Sequence, residues 1–357
     1  SVGVVQSWLF IISLFVLGII VYVFVGGFDS FNIALSKIAS TTISTWGNTN
    51  GYGGGDYNSY FTIPGVIQWV AGLGKEPATG GPWTAMMILT FTISFMGIIL
   101  TPSFSMWSFS TQHPKAFSYY QVWGCAAAIG ILLFIFTTMQ GVGATLLGAN
   151  ADINNSNLSI SNLLPEISKS DHSLVVYHII SLMDNYALWL TGALVLGLIA
   201  ALQSTAAAFL MTSGSIITRD LYKAYIDKEM KWEKERMVAR LCMLLIFLAA
   251  LYLATFAKPA MILFSGIVIP IAFQFLIILL GLVWFPWITK GAAIMGIISG
   301  LIIVFLTETI GQQITGNRLP WGRWPLTIHS GMWGLLFNVF VCFSISAFSS
   351  LSKMDTH

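Results

Sequence analysis

Charged residues are scarce in this chain. Of its 357 residues only 8% are Asp, Glu, Lys or Arg, whereas 56% are hydrophobic. Soluble globular domains carry about 25% charged residues, so this composition excludes an ordinary soluble protein. The apolar runs are about twenty residues or longer, which is the length of a membrane-spanning helix rather than of a barrel strand. Because a helix satisfies its own backbone hydrogen bonds in lipid, we predict an all-α, polytopic integral membrane protein.

Cysteine is also rare, and motifs of enzyme chemistry are missing. Cys125, Cys242 and Cys342 all lie inside apolar runs, with no His or second Cys nearby at metal-ligand spacing. We expect buried free thiols. The sequence shows no nucleophile, metal or nucleotide motif. We therefore predict no enzyme activity, no organic cofactor and no nucleic-acid partner.

Eight apolar runs are long enough to cross a hydrocarbon core of about 30 Å. They lie at roughly residues 3–26, 82–110, 117–148, 184–218, 237–257, 259–287, 291–311 and 329–351. The fourth run is too long for a straight crossing and predicts a helix that continues beyond the membrane. The chain starts with SVGVVQSWLF, already near or inside a span and without Met, so we interpret it as a fragment.

Three polar segments separate some of these runs. Residues 45–61 (TWGNTNGYGGGDYNSYF) are rich in Gly and read either as a gating or partner-binding loop or as an ordinary connector. Residues 148–184 form a second predicted loop. The third, residues 311–329, contains Trp321 and Trp324, which suit the interfacial aromatic belt.

The distribution of Lys and Arg predicts the orientation. If the first span runs outward, ten of the sixteen basic residues fall on one side, largely within residues 219–240. Because cytoplasmic loops carry the excess of Lys and Arg, we interpret 219–240 as a cytoplasmic linker. Ionisable residues near the span ends read as interfacial or capping residues rather than proton relays; they are Asp184, Glu308, His178 and His329.

The stretch Leu198–Tyr222 (LIAALQSTAAAFLMTSGSIITRDLY) carries many hydroxyls for so apolar a region. Each Ser or Thr can bond back to a carbonyl in its own helix, and the Gly and Ala residues suit close helix packing. The alternative is an ion site. The hydroxyls of Ser204 and Thr205, with the carbonyl of Ala201 one turn earlier, offer three neutral oxygens to a hard cation such as Na⁺.

Three segments resemble the sodium/solute symporter family, the relatives of the sodium/proline and sodium/glucose carriers. The first and most specific is the Ser204-Thr205 pair followed by Thr218-Arg219-Asp220-Leu221-Tyr222-Lys223. The second is LLGLVWFPWITKGAAIMGIISGL, at residues 279–301. The third is KERMVARLCMLLIFLAALYLA, whose Arg240 falls where the family often has an Arg. The resemblance covers nearly the whole chain.

The resemblance implies a leucine-transporter-like, inverted-repeat fold with helices broken at the midplane. Residues 1–357 would form one transporter domain that begins near the fifth core helix, without the N-terminal helices. In this family the first core helix supplies two backbone carbonyls to a Na⁺ site. The residues that carry over here are Ala201, Ser204 and Thr205, which makes Na⁺ the expected coupling ion.

The second span would correspond to the broken sixth core helix, which the resemblance expects to touch substrate. Gly97, Thr101, Pro102 and Ser103 form a helix-weakening stretch there, since Pro102 lacks an N–H and crowds the preceding turn. We predict these four as substrate-binding residues. A Pro kink that neighbouring hydroxyls satisfy is the alternative interpretation.

The region after Pro102 departs from the family pattern, because Ser110 stands in place of the expected Arg. Few hydrogen-bonding groups follow Pro259, which favours a small monocarboxylate or an amino acid over a sugar. We therefore expect Na⁺-coupled symport by alternating access in a bacterial inner membrane, with an oligomer or a small membrane accessory subunit as open partners. The runner-up is a transporter-like sensing domain that regulates a kinase.

Overall fold

The computed structural model describes residues 2–41, 69–74, 84–109, 114–147, 174–256 and 258–354. Regular structure in these ranges is helical throughout, as the composition predicts. The helices group into two compact units, one made of residues 1–43 and 110–221 and the other of residues 44–109 and 222–357. The polar segment 45–61 and residues 148–173 of the second predicted loop lie outside the described ranges.

The helices are numbered along the chain. They are α1 (Val2–Phe24), α2 (Gly27–Thr41), α3 (Ala85–Ser94, extended by a 3₁₀ turn Phe95–Ile98), α4 (Pro102–Phe109), α5 (Pro114–Tyr119, followed by a π-helix Tyr120–Ile129), α6 (Gly130–Leu147), α7 (Val175–Ser181), α8 (Leu188–Ser215, followed by a π-helix Ile216–Lys223), α9 (Trp232–Phe256), α10 (Lys258–Phe273), α11 (Leu276–Val283), α12 (Lys290–Thr307), α13 (Thr309–Ile314) and α14 (Ser330–Met354). The first unit contains α1, α2 and α5–α8; the second contains α3, α4 and α9–α14.

All eight predicted spans contain helix, but two of them lack a single long one. Within the described ranges, six helices are long and apolar enough to cross a membrane, one of them running through the turn between α10 and α11 (Gly266–Val283); α3 with its 3₁₀ turn and most of α6 are shorter apolar helices. Pro102 begins a new helix after a turn, which divides the second span. A π-helix precedes α6 in the third. The polytopic membrane architecture is confirmed.

The first unit is built around α1, which packs against both α6 and α8. Gly197 on α8 lies so close to Ser13 that any Cβ would overlap the Ser13 hydroxyl, and Gly143 on α6 meets Val21 in the same way. Gln140 donates from its amide to the Leu14 carbonyl at 2.8 Å. These small residues and one polar bond fix the register of the three helices, as expected in lipid.

The second unit is centred on the pair α12 and α14. A Cβ on Gly296 would lie 2.5 Å from Asn338 Oδ1, and one on Gly334 would lie 2.7 Å from Gln274 Nε2. Gln274 and Asn338 are fully buried, and Asn338 Nδ2 donates to the Gln274 carbonyl at 2.9 Å. That bond matters because the chain leaves helical geometry between α10 and α11, where the carbonyl needs a new donor.

Short helices occur within or beside the predicted loops. Helix α7 ends the second predicted loop, and α13 begins the third. Helix α2 follows Gly26 and Gly27, both at positive φ (94° and 89°), which turn the chain at the end of α1. Asp29 lies in the first turn of α2, where its negative charge interacts favourably with the positive end of the helix dipole.

Candidate functional site

Helix α8 carries the three residues predicted to bind Na⁺. Its 28 residues hold Ala, Leu and small side chains, and its length exceeds a straight crossing of the hydrocarbon core. Ala201 and Ser204 are half-buried within the structure, and Thr205 is exposed. The side chains of this segment therefore leave part of its surface open.

The three oxygens lie together because both hydroxyls use the same acceptor. Ser204 Oγ donates to the Ala201 carbonyl at 2.9 Å, and Thr205 Oγ1 donates to it at 3.1 Å. These are the back-bonds expected of Ser and Thr in a helix. The predicted cluster is thus compact, with its two hydroxyl protons directed at one carbonyl.

This arrangement determines what a cation would have to do. A cation needs lone pairs, and the hydroxyl protons shield those of the Ala201 carbonyl. Rotating the two hydroxyls away would release two hydrogen bonds, each worth about 1 kcal/mol net, and would present three oxygens on one side of the helix. Hydroxyl and carbonyl oxygens are ligands that suit a hard cation. The Na⁺-binding role of the three residues stays a prediction.

The motif run that follows the pair forms the end of α8 and its π-helix. Thr218 is buried there, and its hydroxyl has no hydrogen-bond partner among the described residues. Past Tyr222, Lys223 pairs with the buried Glu235 at 3.2 Å, and Lys234 pairs with Asp227 at 2.7 Å. The predicted linker 219–240 is therefore mostly helical with a short, ion-paired turn, whereas its cytoplasmic location stays a prediction.

The four residues predicted to touch substrate surround the interruption between α3 and α4. Gly97 is a close-packing point: a Cβ there would lie 2.7 Å from the Ile269 carbonyl of α10. Thr101 Oγ1 donates to the Ile98 carbonyl at 2.7 Å and lies 3.3 Å from Ser103 Oγ, while Pro102 starts α4. Neighbouring hydroxyls thus bond at the break, and the substrate role of these residues stays a prediction.

A stripe of buried hydroxyls along α3 escaped the sequence reasoning. Thr84 Oγ1 donates to Thr327 Oγ1 at 2.7 Å, and the His329 backbone N–H donates to Thr90 Oγ1 at 3.0 Å. Ser94 follows one turn later, fully buried. Thr90 and Ser94 are four residues apart and lie on one face of α3, and this spacing was a signal in the sequence. The hydroxyls of Thr84 and Thr90 hold α3 against the segment that precedes α14.

Glu308 is the centre of a buried cluster in the second unit. The residue is 2% exposed and caps α13 by accepting from the Thr309 backbone N–H at 3.3 Å. Its carboxylate also accepts from Trp324 Nε1 at 2.7 Å and Ser330 Oγ at 2.8 Å, and it pairs with Arg323 Nε at 3.0 Å. The capping role expected for Glu308 is present, but its partners were not foreseen, because α13 and the connector (residues 315–329) must fold back before these residues meet.

His329 lies beside this cluster, immediately before the apolar span of α14. Its ring packs edge-on against Phe91, with ring centres 5.1 Å apart, and the residue is 3% exposed. Burial lowers the pKa of His329 from 6.5 to about 4, against the opposing attraction of Glu308. The imidazole is therefore neutral near pH 7.

Within the described ranges, His, Cys, Asp and Glu form no group of three or more that could hold a metal ion. Cys342 is buried and Cys242 half-buried, both as free thiols. A family model, that of the sodium:solute symporter family, matches residues 2–300. No individually curated protein matches the chain. The family match covers most of the sequence, including α8 and its motif run.

Proposed function

Because the chain belongs to the sodium:solute symporter family, whose members couple solute transport to Na⁺, we propose that it imports a small monocarboxylate or an amino acid by alternating access. Na⁺ binds to Ala201, Ser204 and Thr205 in this proposal, with the first core helix of the full-length carrier supplying the remaining ligands. The ion stabilises the conformation that accepts solute. Coupling is then the difference in Na⁺ affinity between the two conformations.

One observation carries the proposal: three neutral oxygens meet on α8 at the positions that the family resemblance assigns to Na⁺. Ser204 Oγ and Thr205 Oγ1 both lie about 3 Å from the Ala201 carbonyl oxygen, at 2.9 and 3.1 Å. The break between α3 and α4 supports a solute site at Gly97, Thr101, Pro102 and Ser103. The protein lies in the cytoplasmic membrane of a bacterium in this proposal, with residues 219–240 facing the cytoplasm.

Removing either hydroxyl tests the ion site. We expect Ser204→Ala and Thr205→Ala, each made in the full-length carrier, to raise the Na⁺ concentration for half-maximal uptake about tenfold, because each removes one of the few ligands. The measurement is radiolabelled solute uptake into proteoliposomes over a Na⁺ series. Expression and folding should change little, since each substitution removes only a back-bonded hydroxyl.

A matched control comes from Thr255 on α9, which is exposed and back-bonds to the Leu251 carbonyl at 3.0 Å. Thr255→Ala removes the same kind of hydroxyl and should leave the Na⁺ dependence unchanged. If the Ser204 and Thr205 variants behave like Thr255→Ala, the ion site is elsewhere. A counterflow panel of labelled acetate, pyruvate, proline and glucose then identifies the solute class; efficient exchange of glucose alone would contradict the proposed class.

A further inference from the structure

The guanidinium of Arg323 is held in one orientation from two directions. Its Nε donates to Glu308 Oε2 at 3.0 Å, and its central carbon lies 3.8 Å from the centre of the Trp324 ring. An arginine on a surface loop usually samples many rotamers, and the entropy lost in ordering it opposes binding. Here the ion pair and the cation–π contact have already ordered the side chain.

The groups that restrain Arg323 are themselves fixed. Trp324 donates from its ring to Glu308 Oε1 at 2.7 Å, and its backbone N–H donates to the Thr307 carbonyl at 3.0 Å. Ser330 Oγ donates to the same carboxylate oxygen at 2.8 Å. Because Glu308 is buried and bonded on both oxygens, the position of Arg323 is set by α13 and the start of α14 rather than by the loop alone.

The backbone around this arginine is strained. Trp324, Leu326 and Thr327 have φ values of 55°, 56° and 51°, in the left-handed region that is unfavourable for residues with a side chain. Bonds from elsewhere hold this conformation: the Leu326 N–H donates to the Gly72 carbonyl at 2.8 Å, and the Gly322 N–H donates to the Leu73 carbonyl at 2.8 Å. Strain maintained by its surroundings is a feature of ligand-binding segments.

The two Nη groups of Arg323 remain as hydrogen-bond donors for a ligand. Its side chain is 45% exposed, and within the described part of the chain only Glu308 accepts a hydrogen bond from it, through Nε. Neither Nη group therefore donates a hydrogen bond to an acceptor in the described part of the chain. Gly266 on α10 lies beside Nη2, where even an added Cβ would be 3.7 Å away. Residue 266 therefore has no side chain that covers Nη2.

We propose that Arg323 is a carboxylate-binding site, in which the two Nη groups bind the two oxygens of an anionic solute side by side. A guanidinium fork matches a carboxylate in this bidentate way, and such charge-assisted bonds are about twice as strong as neutral ones. Glu308 orients the fork from behind, and Trp324 supports its face. By the count of basic residues, the connector lies on the outer side, where solute arrives.

The inference rests on the proposed function for one point, that the bound carboxylate is the transported solute. Binding itself does not depend on transport. The same fork also fits phosphate, so the test compares the two anions. A planar carboxylate matches the planar guanidinium fork, so we expect acetate and pyruvate to bind better than the tetrahedral ion.

The test measures the melting temperature of the protein in detergent as sodium acetate, sodium pyruvate or sodium phosphate replaces sodium chloride. Sodium concentration and ionic strength stay constant. We expect saturable stabilisation by the two carboxylates. Arg323→Lys keeps the charge beside Glu308 but lacks the fork, and should raise the apparent dissociation constant for carboxylates about tenfold. Gly266→Val should also raise this constant, because the added side chain obstructs the site.

Two further variants guard against a folding artefact. The double variant Arg323→Gln with Glu308→Gln removes both charges while retaining side-chain amides, and should lose the carboxylate effect while remaining folded. Arg318→Gln alters another exposed arginine of the connector and should bind carboxylates within about twofold of the natural protein. Carboxylate stabilisation that survives both Arg323→Lys and the double variant would overturn the inference, as would stabilisation by phosphate alone.

Uptake assays separate the two proposals. If carboxylates protect the protein through Arg323 but no Na⁺-dependent uptake of any carboxylate or amino acid occurs, the proposed function fails and the binding site stands. If uptake depends on Na⁺ through Ser204 and Thr205 while the Arg323 variants bind and transport normally, the site fails and the proposed function stands.

Discussion

At the residue scale, the buried histidine is the clearest example of a side chain whose environment changes its chemistry. His329 contacts Phe91, neighbours Trp324 and is 3% exposed, so a positive charge there would lose most of its hydration. Its neutral form at pH 7 keeps a second cation away from Arg323. The histidine thus contributes to the electrostatics of the cluster without a direct bond to Glu308 among the described contacts.

The lowered pKa of His329 predicts a loss of stability in mild acid. Between pH 6.5 and about 4 the unfolded chain binds a proton at this residue and the folded chain does not, so the free energy of unfolding falls as the pH falls through that window. The full loss is on the order of 3 kcal/mol. We expect the melting temperature of His329→Gln to decline less than that of the natural protein from pH 6.5 to 4.5.

A second histidine provides the comparison. His178 on α7 is only half-buried, and His178→Gln should retain the acid-sensitive decline. Since carboxylates also titrate near pH 4, the meaningful quantity is the difference between the variant and the natural protein at each pH. Identical curves for His329→Gln and the natural protein would show that this residue is not the source.

At the scale of helices, close packing depends on a few glycines and on amides that replace lost backbone bonds. Gly300 on α12 faces Gln274 Oε1 so closely that a Cβ would overlap it, and would also lie 3.0 Å from the Gly334 carbonyl. Gln274 Nε2 donates to the Pro270 carbonyl at 3.0 Å and to the Gly331 carbonyl at 3.2 Å. Three helices therefore meet at one glutamine.

This arrangement predicts that Gly300→Ala destabilises the protein. The added methyl must displace a buried amide that bonds to two carbonyls, and overpacking of this kind costs about 1–3 kcal/mol. Gly291→Ala, at the start of the same helix, meets nothing within 4 Å and should be neutral or slightly stabilising. Thermal unfolding in detergent measures both; equal melting temperatures for the two variants would contradict the packing argument.

Sequence reasoning located helices well and their interruptions less well. Six of the eight predicted spans contain, within the described ranges, a helix long and apolar enough to cross a membrane, because lipid demands length and apolarity in one continuous segment. The sequence analysis did not predict α2, because its mixed composition lacks the long apolar run of a span. It also did not predict the break after Phe273, where the side-chain amide of Gln274 takes the place of backbone hydrogen bonding. Such breaks depend on partners such as Asn338, which lies 64 residues away in the chain.

The candidate sites divide in the same manner. The oxygen cluster of Ala201, Ser204 and Thr205 was predictable because all three residues share one helix, where spacing alone fixes the geometry. The cluster around Glu308 was not, since residues 315–329 must fold back to bring Arg323 and Trp324 to the carboxylate. Local patterns are readable from the chain; contacts made by an irregular connector are not.

At the scale of the whole molecule, the excess of Lys and Arg within residues 219–240 predicts which ends of the helices face the cytoplasm. Three crossings, made by α9, by α10 with α11, and by α12, separate that segment from the connector. An odd number of crossings places the two on opposite sides of the membrane. Solute captured by Arg323 would then approach from the side opposite the linker.

Cysteine labelling tests this orientation. In a background without Cys125, Cys242 and Cys342, we expect Arg318→Cys to react with a membrane-impermeant maleimide in intact cells. Lys228→Cys should react only after the membrane is opened, because the linker is predicted to face the cytoplasm. Labelling of both positions from the same side would contradict the assignment, and uptake by the cysteine-free background verifies that it remains folded.

The shared acceptor on α8 has a consequence for the empty carrier. When the Ala201 carbonyl accepts from both neighbouring hydroxyls, these three groups bond to one another without an ion. In the proposed cycle, the two hydroxyls would again donate to the Ala201 carbonyl once Na⁺ is released. The empty carrier could then return to its outward-facing conformation without a replacement ion or a proton, which permits net uptake rather than exchange alone.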